Sequence, residues 1–177
     1  KMGGEWYHLI YNNVYGIRSV ILRLTNTYGP GMRIKDARQT FLGIWIRKLL
    51  EGKPIQVFGS GKQIRDYNYI DDVVSALLMS ASSEDADGEI FNMGADDPLT
   101  LKDTADIFLK VYGKGSCEII PFPGDRLKID IGDYYGDYRK IRAKLGWKPE
   151  VKFEEGIGLT LDYYEKYLNH YVENEHE

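Results

Sequence analysis

Between residues 17 and 24 the chain carries Ile17, Val20, Ile21, Leu22 and Leu24, an apolar run with too little alternation for a strand that shows one face to water. A run of that kind belongs in a parallel sheet covered on both sides, and parallel strands need crossover helices between them. The rest of the sequence is read for those helices and for partner strands. Residues 2–14 read as a helix with Met2, Trp6, Leu9 or Ile10, and Val14 near one face, closed by Gly16 as a C-cap. Gly3 and Gly4 each cost a helix about 1 kcal/mol relative to Ala, so a close backbone neighbour or a frayed end is expected there.

After the turn residues 26–31, a helix over 38–50 presents Phe41, Leu42, Trp45, Ile46 and Leu49. A short strand at 55–58 runs into the turn Gly59, Ser60, Gly61, and a second extended piece spans 65–70. Asp71 then reads as the N-cap of a helix that buries Val73, Val74, Leu77 and Leu78. A buried strand follows at 89–93. Thr100 and Asp103 form a capping-box-like start to a helix ending near Gly113, followed by a strand at 118–120. Beyond a loop rich in Pro, Gly and Asp, helices are expected at 138–145 and from 153 to about 171, the latter with Ile157, Leu161, Tyr164 and Leu168 on one face. Strands and helices alternate, so the fold class is α/β. The parallel partners that residues 17–24 demand are few, and the chain reads as the second half of a larger protein.

Composition excludes several classes of function. A net charge of -4 gives no overall reason to bind nucleic acid. No run of about 18 apolar residues offers a membrane span, and no secretory leader is expected. Cys117 cannot form an internal disulfide, and His8, His170 and His176 are scattered, so no metal cluster is expected. A reducing, cytoplasmic setting fits this usage. Cys117 reads as a small hydrophobe in a strand.

Asn26 and Tyr28 lie just past the carboxyl end of the parallel-type strand, where open α/β sheets bind ligands; a side-chain-capped turn is the alternative. Arg65 can clamp a pyrophosphate through two oxygens, and its spacing places Tyr67 and Tyr69 on the same face of a strand. The alternative for Arg65 is a surface pair with Asp66. Asp71 and Asp72 read as helix-start residues, Asp137 as an N-cap and Trp147 as a packing anchor.

Six segments together resemble the extended short-chain dehydrogenase/reductase family, in particular its NAD-dependent nucleotide-sugar epimerases and dehydratases. They are Lys1 to Glu5, Leu22 to Pro30, Val57 to Gly61, Arg65 to Val73, Phe91 to Gly94, and Leu145 to Pro149, in family order and over nearly the whole chain. The resemblance implies the C-terminal portion of a Rossmann-type enzyme with its smaller substrate-binding α/β domain. Residues 1–30 would end the NAD-binding domain and 31–177 would form the nucleotide-sugar domain, with the strand near 89–93 returning toward the Rossmann sheet.

It further implies a role for Lys1 as the Lys of a Tyr-x-x-x-Lys pair, lowering the pKa of a catalytic phenol and holding the cofactor ribose. Leu24 and Thr25 would line the nicotinamide, Asn26 would bond the substrate, and Gln56 and Phe58 would hold the base. Plain core packing is the alternative for Phe58. Arg65 and Tyr67 would meet the diphosphate side of the substrate, Arg126 its phosphate, and Asp130, rather than Asp133, its ribose. Arg126 and Asp130 depart by about one residue from the family's commonest spacing.

No Gly-rich strand-turn-helix for the dinucleotide pyrophosphate occurs in these residues, so NAD binding by them alone is expected to be feeble. The parent function implied is a UDP-glucose 4-epimerase-like reaction, oxidation and re-reduction at C4, by a homodimer that uses Trp6, Leu9 and Ile10. A 4,6-dehydratase or decarboxylase is the runner-up, and a non-catalytic sugar-nucleotide-binding fragment the third reading.

Overall fold

In the computed structural model, which describes residues 1–35 and 40–172 and all their side chains except those of 125 and 126, helix α1 covers Met2–Tyr15. Gly16 ends it in the left-handed conformation, φ 64°, where a side chain would be strained. Strands β1 (Ile21–Arg23) and β2 (Asn26–Tyr28) follow, then α2 (Phe41–Leu50) and β3 (Ile55–Phe58). The expected start of α2 at Arg38 lies outside the described residues. Next come β4 (Ile64–Arg65), β5 (Tyr67–Tyr69), α3 (Ile70–Ser82), β6 (Ile90–Asn92), β7 (Leu99–Thr100), α4 (Leu101–Tyr112) and β8 (Cys117–Ile120). A four-residue helix α5 (Gly124–Leu127), α6 (Arg139–Leu145) and α7 (Phe153–Val172) complete the chain.

These elements form two compact units that interleave along the sequence. The first holds residues 1–27, 66–97 and 135–151, and the second holds the described residues of 28–65, 98–134 and 152–177. In the first unit β1 pairs in parallel with β6, Ile21 opposite Ile90 and Arg23 opposite Asn92, the arrangement the apolar run 17–24 required. Phe91, Met93, Ala76, Tyr138, Ile141 and Trp147 build its core. Gly94 and Gly136 let two backbones touch there: a Cβ on Gly94 would lie 2.2 Å from the Gly136 carbonyl oxygen, and one on Gly136 only 1.7 Å from that of Met93.

Asp72, buried on α3, fastens the Leu145 to Val151 segment. Its carboxylate accepts the backbone N–H groups of Glu150 (3.0 Å) and Val151 (3.1 Å), and its carbonyl accepts the Trp147 indole N–H at 3.0 Å. Both sequence roles, helix-start Asp and Trp anchor, are therefore realised in one knot.

In the second unit β3 pairs in parallel with β8, Ile55 opposite Cys117 and Phe58 opposite Ile120. The apolar faces of α2, α4 and α7 supply Leu42, Ile46, Leu49, Phe108, Ile157, Leu161 and Tyr164 to the core. Thr100 caps α4 as the sequence predicts, its hydroxyl accepting the Asp103 N–H at 3.0 Å, and Gly113 ends the helix with φ 73°. Tyr28 is buried with its ring edge-on to Phe153 at 5.3 Å, its hydroxyl donating to the Phe153 carbonyl.

Several expectations are corrected. The run 17–24 is not covered on both faces: Ile17 and Leu24 are 53% and 44% exposed, because among the described residues β1 belongs to a sheet of two strands. Of the four apolar residues expected inside α3, only Val73 is buried; Val74, Leu77 and Leu78 face outward. The N-cap of α3 is Tyr69 rather than Asp71, which falls in the first turn. Gly3 and Gly4 have open space where a Cβ would stand, so no neighbour among the described residues accounts for them. The expected turn at 26–31 begins as strand β2.

Candidate functional site

In the second unit, strict alternation along β3 sorts its side chains. Ile55 and Val57 point into the core, fully buried, and Gln56 and Phe58 emerge on the opposite face. Helix α2 runs beside that strand with Phe41, Ile44, Trp45 and Lys48 at i, i+3, i+4 and i+7, one helical stripe. The two faces bound a cleft of about 640 Å³, closed further by Leu101, Phe122, Ile129 and Asp130. Phe122 comes two residues beyond the end of β8, and the parallel register of β8 with β3 carries its ring to within 5.7 Å of the Phe58 ring. The walls are thus aromatic and aliphatic, and the polar groups are few: Gln56, Lys48 and Asp130. Such a cleft suits a flat, mostly apolar ligand with a polar edge.

Arg65 lies on β4, which pairs antiparallel with β7. Its Nη1 donates to the carbonyls of Ile64 (2.7 Å) and Gly132 (2.5 Å), and its Nη2 stands 3.7 Å from Asp130. A guanidinium anchored on one nitrogen to backbone is oriented, which is what bidentate anion recognition requires. Asp133, the alternative to Asp130, is occupied differently: its carboxylate accepts the Ile64 N–H at 2.8 Å. The structure therefore brings Gln56, Phe58 and Asp130 to one cleft and sets Arg65 beside Asp130. Arg126 has its backbone in α5, and its side chain lies outside the described residues.

The remaining predicted residues belong to the first unit. Lys1 is exposed at the N-terminus of α1 and Leu24 is exposed just after β1. Thr25 donates its hydroxyl to Asn68 Oδ1 at 2.9 Å, Asn68 donates in turn to the Gly94 carbonyl at 2.8 Å, and Asn26 donates to the Asp66 carbonyl at 3.0 Å. Tyr67 is buried on β5. The run Arg65 to Tyr69 is divided at Asp66 into β4 and β5, so Arg65 and Tyr67 do not share one continuous strand face. Asp66 is fully buried, and its carboxylate accepts the Gly136 N–H at 2.9 Å. Burial pushes its pKa above the ordinary carboxylate value, partly countered by that N–H. A surface pair with Arg65 is not its role.

Sequence reasoning does not single out Ile44, Lys48, Leu101, Phe122 or Ile129 as cleft residues. Lys48 carries a faint signal, since it stands three residues from Trp45 at the border of the α2 apolar face; Phe122 carries none, because only strand register places it. Among the described residues no group of His, Cys, Asp and Glu could hold a metal, and no helix is long and apolar enough to cross a membrane.

The model of the NAD dependent epimerase/dehydratase family matches residues 1–94, more than half of the chain. The chain belongs to that family. It is 31% identical to the UDP-glucuronate 4-epimerase of Thermodesulfobacterium geofontis, over 92% of this chain and 48% of that protein. It is 30% identical to the dTDP-glucose 4,6-dehydratase of an Actinoplanes species, over 93% and 49% respectively. Among solved structures, the UDP-glucose 4-epimerase of Thermotoga maritima with UDP-glucose superimposes with a TM-score of 0.82 at 31% identity, covering 95% of this chain and 52% of that one.

The chain spans about half the length of these relatives. As a class, its relatives are nucleotide-sugar epimerases, dehydratases and decarboxylases, and its α/β fold with parallel strands is theirs. Family members use NAD. Of the residues expected to meet it, Lys1 offers an exposed cation and Leu24 an exposed apolar surface beyond a parallel strand, groups that fit a ribose hydroxyl and a nicotinamide ring.

Proposed function

We propose that the chain supplies the nucleotide-sugar site of a UDP-glucose 4-epimerase-like enzyme, a homodimer in its parent form. The observation that carries this reading is the cleft where Gln56, Phe58 and Asp130 meet, with Arg65 beside Asp130. In it the base lies against Phe58 and Phe122 with its edge toward Gln56, the ribose hydroxyls bond Asp130, and the diphosphate reaches Arg65 and Arg126. Asn26 and Tyr67 keep the substrate-binding roles that the family resemblance implies for them. Bound NAD supplies the hydride acceptor and donor that C4 chemistry needs. Lys1 steadies the cofactor ribose and favours the ionised form of a catalytic phenol, and Leu24 and Thr25 flank the nicotinamide.

Within the family class a 4-epimerase is favoured over a 4,6-dehydratase or decarboxylase by the Arg65, Asp66, Tyr67 sequence and the paired Asp71 and Asp72. A dehydratase needs a further acid/base pair for loss of water. The chain on its own binds the nucleotide and turns nothing over.

Calorimetric titration of UDP into the chain tests the site. Arg65→Ala should weaken binding by about tenfold or more, the value of a charge-assisted hydrogen bond. Absence of UDP binding to the native chain would defeat the reading. Supplying NAD with UDP-galactose or with UDP-glucose and following products by NMR tests the chemistry: a 4-keto-6-deoxy sugar formed by the parent would move the assignment to the dehydratase.

A further inference from the structure

We propose that Lys48 is a positioning residue that decides which nucleobase the cleft admits; this rests on the reading of the cleft as a nucleotide-sugar site. The Lys48 ammonium donates to Gln56 Oε1 at 2.6 Å, and both side chains line the cleft. An unrestrained carboxamide is ambivalent, because a half-turn exchanges its acceptor for its donors. An ammonium has donors only, so it fixes the turn: Oε1 faces Lys48 and the Nε2 amino group is directed away from it.

The backbone beneath is held as well, since the Trp45 indole N–H donates to the Gln56 carbonyl at 3.2 Å. The polar edge of an otherwise apolar slot therefore presents N–H donors, from Gln56 Nε2 and from the remaining protons of Lys48. Its complement is a flat base with carbonyl oxygens at that edge, a dioxopyrimidine such as uracil or thymine. A base with an exocyclic amino group at the same place sets donor against donor and leaves both unpaired, which is the strong form of discrimination. Without Lys48 the amide turns freely and serves either kind of edge.

The test is titration of the 177-residue chain with UDP and with CDP, which differ at the pyrimidine 4-position. The native chain should prefer UDP by about tenfold or more, and Lys48→Met should reduce that preference to less than about threefold. Lys48→Arg, which keeps a charged donor, should retain most of it. Gln56→Glu, which leaves Lys48 in place but exchanges the amide donors for an acceptor, should shift the preference toward CDP, and it provides the answer should Lys48→Met fail to fold.

A merely structural Lys48, or one that only attracts the diphosphate, would weaken both nucleotides alike and leave their ratio unmoved. An unchanged ratio in Lys48→Met overturns the proposal, as does a native chain that binds UDP and CDP equally, and in both cases the nucleotide-sugar reading stands. Binding of neither nucleotide overturns both.

Discussion

Asp71 and Asp72 are neighbours of the same type in the first turn of α3, yet their surroundings separate them completely. Asp71 is exposed and contributes the modest attraction of a carboxylate for a helix N-terminus. Asp72 is buried and satisfies two backbone donors of the segment beyond Trp147. Asp72→Ala leaves both donors without an acceptor and should cost about 2–4 kcal/mol, whereas Asp71→Ala should cost less than about 1 kcal/mol; urea denaturation of the two variants measures the difference.

Asp66 gives a pH dependence of opposite sign to the common carboxylate. Its pKa in the folded chain is raised from 3.8 by burial, so the unfolded chain releases this proton first. Its contribution to stability is therefore lost as pH rises from the unfolded pKa toward the folded one, and does not return above it. Asp66→Asn keeps an acceptor for the Gly136 N–H and removes the ionisation. Its stability relative to the native chain should rise with pH through the carboxylate range and then level off; a flat difference between the two denaturation series would refute this account.

At the level of elements, glycines test whether a helix or a loop is held by its own propensity or by what it touches. Gly136 sits against the Met93 carbonyl with no room for a methyl group, so Gly136→Ala should cost about 3 kcal/mol or more and melt the first unit at lower temperature. Gly3 and Gly4 lie in a helix with open space around them, and replacing either by Ala should stabilise by up to about 1 kcal/mol. Thermal denaturation followed by circular dichroism decides both.

The elements were the most legible part of the sequence. The Thr100 cap, the Gly16 and Gly113 stops, and strand β3 follow from chemistry within a few residues, and they occur where the pattern puts them. Burial on α3 was legible only in part, because Val74, Leu77 and Leu78 are as apolar as Val73 while only packing decides which of them is covered.

For the molecule as a whole, the outer face of α1 carries Met2, Trp6, Ile10 and Val14, all exposed, and α3 adds Leu77 and Leu78. No residue of α1 is buried. Apolar surface on this scale promotes association. Trp6→Lys and Leu78→Glu should reduce concentration-dependent self-association, read by light scattering after size exclusion, and should change the denaturation midpoint little, since neither side chain is packed. Unaltered association in the double variant would show that these helices are not responsible.

The sequence by itself determined the α/β class, the family motifs and the extent of strand β3, because periodicity and capping act over a few residues; that Gln56 and Phe58 leave its core face was decided by the fold. Tertiary structure alone decided that Lys48 and Phe122 join them in one cleft with Asp130. Lys48 arrives by the packing of α2 against β3, and Phe122 by the pairing of β3 with β8; packing and strand pairing of this kind leave no clear local trace in the chain.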